Sequence, residues 1–314
     1  MLDLATKFSI KKVLDRPFEL SPIQQLYFNS QPSPIYEGVG RFNQSSSLEI
    51  IRHVEAQDID MALRRIVEQH SMLRARFTKT TSGTWKQYLS RDEPSSYSYQ
   101  SHHVEAADDI PSLVRCTQSS LNIQKVPLFA IDLFNLADNR QMIFLAAHHS
   151  IIDMVSRRII LGDLEELLNS KTLLAEKPLS FQVRSAMQTG HSLKQSSTQA
   201  TSILSFKLPT SDLKYWGMDK CANTYGDVIR ESFTVSQELS SLALGQRNHA
   251  FRTEPIELFL AATLHSFSRV CVGRRTPAIF NNGHGREAWD ASIDISRAVG
   301  WFTTIFPVHV EVKV

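Results

Sequence analysis

The sequence predicts an α/β or α+β fold. Segments of helical and strand periodicity alternate along its 314 residues, and two long apolar strand-like runs stand next to each other between amphipathic helices. The length allows one large domain or two smaller lobes. An apolar share of 42% with 21% charged residues is enough to close a hydrophobic core.

Residues 58–73 form the clearest helix. Asp58 stands where an N-cap is needed, and Ile59, Ala62, Leu63, Ile66, Val67 and His70 recur at helical spacing. Residues 84–90 and 96–104, rich in aromatic and β-branched types, predict strands. PLFAIDLFNL (127–136) and QMIFLAAHH (141–149), separated by ADNR, predict a β-hairpin whose second strand is well buried. In VSRRIILGDLEELL (155–168), Val155, Ile159, Ile160, Leu164, Leu167 and Leu168 share one helical face. The Ser-, Thr- and Gln-rich stretch MQTGHSLKQSSTQATS (187–202) reads as a connector or a frayed helix end. EPIELFLAATLHSFSRV (254–270) is a strongly apolar helix. PAIFNNGHGRE (277–287) is a short strand entering a glycine-broken loop, and 301–314 is a further strand.

Composition narrows the function classes. Thirty-four basic against thirty-two acidic side chains leave a net charge of +2, without the basic excess of a nucleic-acid binder or a polybasic membrane signal. No apolar run approaches the ~20 residues of a membrane span, and the first twenty residues hold no apolar signal core. A soluble, cytoplasmic protein is expected, with no nucleic-acid or membrane partner. Cys116, Cys221 and Cys271 are odd in number and far apart, so neither a disulfide framework nor a zinc site is expected.

The most informative segment is HHSIID (148–153), directly after the buried strand. Adjacent side chains at a strand end project to opposite sides, so one histidine alone faces a given cavity. Asp153, four residues after His149, is placed to fix the local backbone by pairing with a buried arginine. His102 and His103 precede Asp108, one residue beyond that spacing and after a polar strand, and read as a surface pair. No helix sets two histidines four apart near a third ligand, which leaves metal binding without support.

Other segments carry a resemblance. HHSIID resembles the HHxxxD signature of the condensation-domain and chloramphenicol-acetyltransferase-like superfamily. PIQQLYF (22–28) resembles PIQxWF, and HSMLRARF (70–77) resembles HxxLRxxF. YWGM (215–218) and ELFLAA (257–262) resemble later segments of the epimerization branch. NGHGRE (282–287) resembles EGHGRE, and RAVGWFT (297–303) resembles RTVGWFT; these two discriminate that branch from ordinary condensation domains. NTYGD (223–227) and DASIDISR (290–297) look like versions from filamentous fungi. The chain thus resembles an epimerization-type condensation domain of a fungal nonribosomal peptide synthetase.

The resemblance implies a chloramphenicol-acetyltransferase-like α/β fold of two lobes in a V, with the second lobe incomplete. The boundaries expected are 1–186 for the first lobe, 187–207 for the connector and 208–314 for the partial second lobe. It implies L-to-D inversion of an aminoacyl or peptidyl thioester presented on a carrier protein's phosphopantetheine arm, with no cofactor bound directly. The implied partners are the peptidyl carrier domain and neighbouring synthetase modules. A base must remove the weakly acidic α-proton, and a second acid–base group must return one from the opposite face. By position the base is His149 and the opposing group falls at residue 282. Asn282 stands there instead of glutamate, and an amide has no useful acid–base function near neutral pH. The copy is therefore expected to be impaired, unless residue 282 simply faces solvent.

Structural roles fall to the remaining motif residues. Asp153 is expected to pair with Arg74, His148 to pack away from the cavity, and Arg286 and Glu287 to form a local ion pair holding the Gly283–His284–Gly285 loop. Trp301 and Phe302 are expected to pack the lobe interface. Arg157 stands where similar fungal versions have tryptophan. Two other readings remain open: a condensing or acyl-transferring enzyme of the same superfamily, and a non-catalytic module that docks a carrier protein.

Overall fold

A computed structural model describes residues 12–30, 41–125, 127–173, 177–198, 212–220, 228–245, 252–287 and 289–310. Cys221, NTYGD and residues 199–207 of the expected connector lie outside the described residues. The order is α1 (Pro22–Ser30), β1 (Asn43–Ile50), α2 (Ala56–Gln69), β2 (Ala75–Lys79), β3 (Trp85–Leu89), β4 (Ser98–Val104), α3 (Ile110–Ser120), β5 (Phe129–Leu136) and β6 (Gln141–His148). Then follow α4 (Met154–Ser170), α5 (Phe181–Thr198), α6 (Gln237–Leu244), α7 (Pro255–Val270), β7 (Ile279–Gly283) and β8 (Thr304–Val308).

The chain divides into two compact units, 1–200 with 283–304, and 201–282 with 305–314. The first is built on a four-stranded sheet of order β1-β6-β5-β4, in which only β4 and β5 run parallel. The hairpin of β5 and β6 forms the centre, as its apolar runs require. Nearly every residue of β6 is buried because both of its faces are covered. Ile143, Leu145 and Ala147 join a core with Ile59, Leu63, Ile66, Ile160 and Leu164 of α2 and α4. Phe144 and Ala146 join Val104, Leu121 and Phe134 in a second layer, with Leu113 and Val114 of α3 packed against it. Burying one such aliphatic side chain is worth about 1.5–3 kcal/mol. That burial decides which face of each element turns inward.

Helix α2 starts two residues earlier than its periodicity suggested. Glu55, in extended conformation (φ −70°, ψ 140°), precedes it, so Asp58 falls in the first turn and pairs with Lys171 at 2.7 Å. It also ends sooner: Ser71–Arg74 tighten into a 3-10 turn that swings the chain into β2. α5 runs to Thr198, through much of the stretch read as a connector. The segment 283–304, assigned from sequence to the second lobe, packs with the first unit, tied to it by the Arg286–Asp153 ion pair.

In the second unit Leu264 and Thr276 are the buried side chains among the described residues. α7 opens with a reciprocal capping box between Glu254 and Glu257, yet Ile256, Phe259 and Val270 are exposed. Arg274 lies 3.8 Å over the Tyr215 ring and also pairs with Asp212. No described helix is long and apolar enough to cross a membrane.

Candidate active site

The strand β6 delivers both histidines. His148 ends the pairing with β1, opposite Asn43, and the His149 amide donates to the Phe42 carbonyl at 2.6 Å. The two side chains then part. His148 is fully buried, its Nδ1 2.8 Å from Ser150 Oγ and its ring edge-on to Tyr27. His149 is half-buried between two aromatic rings. Phe42 stacks on it at 4.7 Å between centroids, with 20° between planes, and Trp301 lies 4.6 Å away on a tilted plane.

The hydrogen bonds of His149 fix its chemistry. Nδ1 lies 2.8 Å from the Ile152 carbonyl, which can only accept, so the neutral ring carries its proton on Nδ1. Nε2 keeps the lone pair and faces the side-chain amide nitrogen of Gln44 at 2.9 Å. Burial pushes the imidazole below its ordinary pKa of 6.5, while hydrogen bonds to the backbone and the charge of Asp153 oppose that shift. The product is a neutral base with its acceptor nitrogen fixed in direction.

Asp153 is the hub beneath. Its Oδ1 accepts from the Ser156 amide at 2.7 Å, capping α4, and Oδ2 accepts from the Phe302 amide at 3.1 Å. Arg286 Nη2 donates to the two carboxylate oxygens at 2.9 and 3.2 Å. Both side chains are nearly buried, 7% and 5% exposed. Arg286 also donates to the Ile295 and Ala298 carbonyls and lies 4.3 Å over the Phe302 ring. The expected Asp153–Arg74 pair does not form. Arg74 Nη1 instead donates to the Val67 carbonyl, Nε donates to the Ser90 carbonyl at 3.1 Å, and Glu93 lies 3.5 Å away. The reason is local: the 3-10 turn points Arg74 back at the end of α2. Nor do Arg286 and Glu287 pair; Glu287 lies 3.4 Å from His284, at the surface.

Gly285 allows this junction. Its φ of +65° suits glycine, and a Cβ there would overlap the Phe302 carbonyl oxygen. A second junction lies deeper. His70 Nε2 is 2.5 Å from Asp163 Oδ2, both nearly inaccessible, and Arg297 pairs with the other Asp163 oxygen. The structure therefore brings His149, Asp153, Arg286 and Trp301 together, and joins His70 to Arg297 through α4. Asn282 is exposed on β7, in the second unit, while Gly283 and His284 lie on the chain leading to Arg286. Trp301, expected at an interface, packs against His149.

Several contributors escaped the sequence reading. Gln24 of PIQQLYF is fully buried and donates to the Ser150 carbonyl at 2.8 Å, while exchanging hydrogen bonds with Gln87. It braces the turn after His149, and a buried glutamine inside a matched motif was the available signal. Phe42 and Gln44 gave none, because β1 begins in the polar run NQSSS. Arg157 donates to the Ser45 carbonyl at 2.8 Å, so it holds β1 where a tryptophan would pack. His102 is not a surface residue. It stacks on Phe134 and approaches the buried Asp132 at 3.5 Å, because β4 pairs parallel with β5. Among the described residues no group of three metal-ligating side chains exists.

Residues 16–314 match the condensation-domain family model. Nonribosomal peptide synthetase 1 of Aspergillus fumigatus is 40% identical over 306 residues, and nonribosomal peptide synthetase ungA of Aspergillus violaceofuscus is 42% identical over 315. Each alignment covers 98% of this chain but only 5% and 3% of those synthetases. Among solved structures, the epimerization domain from the third module of tyrocidine synthetase B superposes with a TM-score of 0.72 at 22% identity, covering 95% of this chain and 69% of that one. The condensation domain of the monacolin K polyketide synthase MokA superposes with a TM-score of 0.69 at 15% identity, covering 95% and 68%. The fold is thus the chloramphenicol-acetyltransferase-like α/β fold shared by condensation and epimerization domains, and the chain belongs to the condensation-domain family, similar to the domains of fungal nonribosomal peptide synthetases.

Proposed function

We propose that this chain is an epimerization-type member of its family, acting on the α-carbon of an aminoacyl or peptidyl thioester, and that it is catalytically impaired. The observation that carries the reading is the state of His149: a neutral imidazole with Nδ1–H held by the Ile152 carbonyl and a directed lone pair on Nε2. Such a nitrogen takes a proton from a carbon acid, and the half-buried slot strengthens every charge interaction with the enolate that forms. The NGHGRE and RAVGWFT segments favour the epimerization branch. The substrate arrives on the phosphopantetheine arm of a peptidyl carrier domain, and the neighbouring synthetase modules supply and consume it.

The impairment is inferred from motif position alone: Asn282 stands where the second acid–base group is expected, although its side chain is exposed. Its amide neither gives nor takes a proton near neutral pH, and losing one positioned proton-transfer group costs about 10²–10⁴-fold in rate. Removal of the α-proton by His149 and its return on one face remain. The same asparagine supports a second reading, in which His149 activates an amine or hydroxyl for acyl transfer. A carrier-loaded L-aminoacyl thioester in heavy water, with and without an amine acceptor, separates the two. Deuterium entering the α-carbon with little inversion supports the first reading. Transfer to the amine without wash-in supports the second, and neither product reduces the chain to a carrier-docking module.

A further inference from the structure

Two polar atoms around the His149 ring are buried without a hydrogen-bond partner among the described residues: Gln44 Oε1, an acceptor, and Trp301 Nε1, a donor. Neither residue is remote from the base. The amide nitrogen of Gln44 lies 2.9 Å from His149 Nε2, and the Trp301 ring is 4.6 Å from the imidazole. Most buried polar groups in folded proteins have a hydrogen-bond partner, so each exception needs an explanation, a bound molecule or a catalytic role among them. One lone acceptor and one lone donor, both beside a single base, call for a molecule that offers a donor and an acceptor around one acidic C–H.

An α-aminoacyl thioester has that arrangement, with an N–H on one side of the α-carbon and the thioester carbonyl on the other. Resting on the proton-transfer reading above, we propose that Gln44 and Trp301 recognise these two groups. Gln44 Oε1 accepts from the N–H of the α-nitrogen, and Trp301 Nε1–H donates to the thioester carbonyl oxygen. The substrate displaces the Gln44 amide from the Nε2 lone pair, which otherwise covers the base. When Nε2 takes the α-proton, the C–H electron pair becomes the new C=C bond and the carbonyl π pair moves onto oxygen. The indole N–H then faces an enolate oxygen, where a donor in a water-poor slot acts most strongly. Return of the proton from Nε2 to carbon reverses both shifts. Gln44 thereby selects acyl groups bearing an α-nitrogen, and Trp301 selects the carbonyl.

The test uses three N-acetylcysteamine compounds with the same side chain: the α-aminoacyl thioester, its des-amino counterpart, and the thioether lacking the carbonyl. Binding is read from the His149 imidazole signals by NMR. The unsubstituted protein is expected to bind the first about tenfold more tightly than either other compound. Gln44→Met should erase the preference over the des-amino compound alone, and Trp301→Phe the preference over the thioether alone. Gln44→Asn, which withdraws the amide by one methylene, should act as Gln44→Met does and replaces it if methionine disturbs the rest of the spectrum. In the unsubstituted protein the Trp301 indole N–H signal should move with the thioester and not with the thioether. Equal binding of all three compounds, no binding at all, or preferences that survive both substitutions would overturn the assignment. Crossed preferences without deuterium wash-in at the α-carbon would leave the recognition pair standing and remove the proton-transfer reading instead.

Discussion

In the proposed reaction the chemistry turns on the imidazole of His149, whose environment makes the pH dependence specific. Burial holds its pKa below 6.5, so between the folded and unfolded values the unfolded chain binds a proton that the folded chain does not. Stability contributed by the neutral ring is therefore present above pH 6.5 and is lost as the pH falls below it. The acid limb of α-proton exchange should follow the same titration. An NMR titration of the His149 ring should give a midpoint below 6.5; one at or above it contradicts the buried-base description. At position 282 the expectation concerns the missing acid–base group. Asn282→Glu lengthens the side chain by one methylene and should raise inversion of a carrier-bound aminoacyl thioester about 100-fold or more. Chiral analysis of the released amino acid measures this, and unchanged inversion would show that residue 282 is not the second proton-transfer group.

At the scale of elements, the histidine motif is held by its junction with the chain at 286–302. Asp153 caps α4, pairs with Arg286 and accepts from the Phe302 amide, so one carboxylate fixes a helix start and two loops. Removing one partner of a buried pair costs about 3–5 kcal/mol because the other charge stays unpaired. Asp153→Ala and Arg286→Ala should each lose stability on that scale, and the double mutant should lose much less than their sum. Denaturant unfolding of the four proteins gives the coupling. The Asp153→Ala and Arg74→Ala pair serves as the contrast, expected to be close to additive since their side chains bond to different parts of the unit; strong coupling there would contradict the structure. Gly285→Ala should destabilise the same junction, since a methyl group meets the Phe302 carbonyl at positive φ, and an unchanged unfolding midpoint would argue against that close approach. The sequence showed these segments but not their pairing. The motifs suggested Asp153 with Arg74 and Arg286 with Glu287, whereas the structure pairs Asp153 with Arg286. Which arginine reaches Asp153 depends on a 3-10 turn that sends Arg74 back to the Val67 and Ser90 carbonyls. Periodicity does not report such a turn.

Across the whole molecule, legibility followed burial. The β5–β6 hairpin and the helices around it were visible because apolar side chains at period 2 or 3.6 face a shared core. β1 was not, because NQSSSLEI lies at the sheet edge with its side chains half-buried or exposed. That strand nevertheless carries Gln44 and follows Phe42, two of the groups around the base. The apolar pattern of 254–270 did announce a helix, although most of its side chains are exposed. Membership in the condensation-domain family explains why short ordered motifs carried more than composition: Asp153, Arg286 and Trp301 come from distant segments and meet around one histidine.

In the proposed reaction His149 removes the α-proton of a carrier-bound thioester. The direct measurement is deuterium wash-in at the α-carbon of a carrier-loaded aminoacyl thioester, compared between the unsubstituted chain and His149→Ala. The side chain is half-buried and the core lies elsewhere, so the variant should keep its fold, as circular dichroism can verify. Loss of the general base should lower wash-in about 10²–10⁴-fold, to the level of the carrier alone. Wash-in that persists unchanged in a folded His149→Ala protein would show that His149 is not the base.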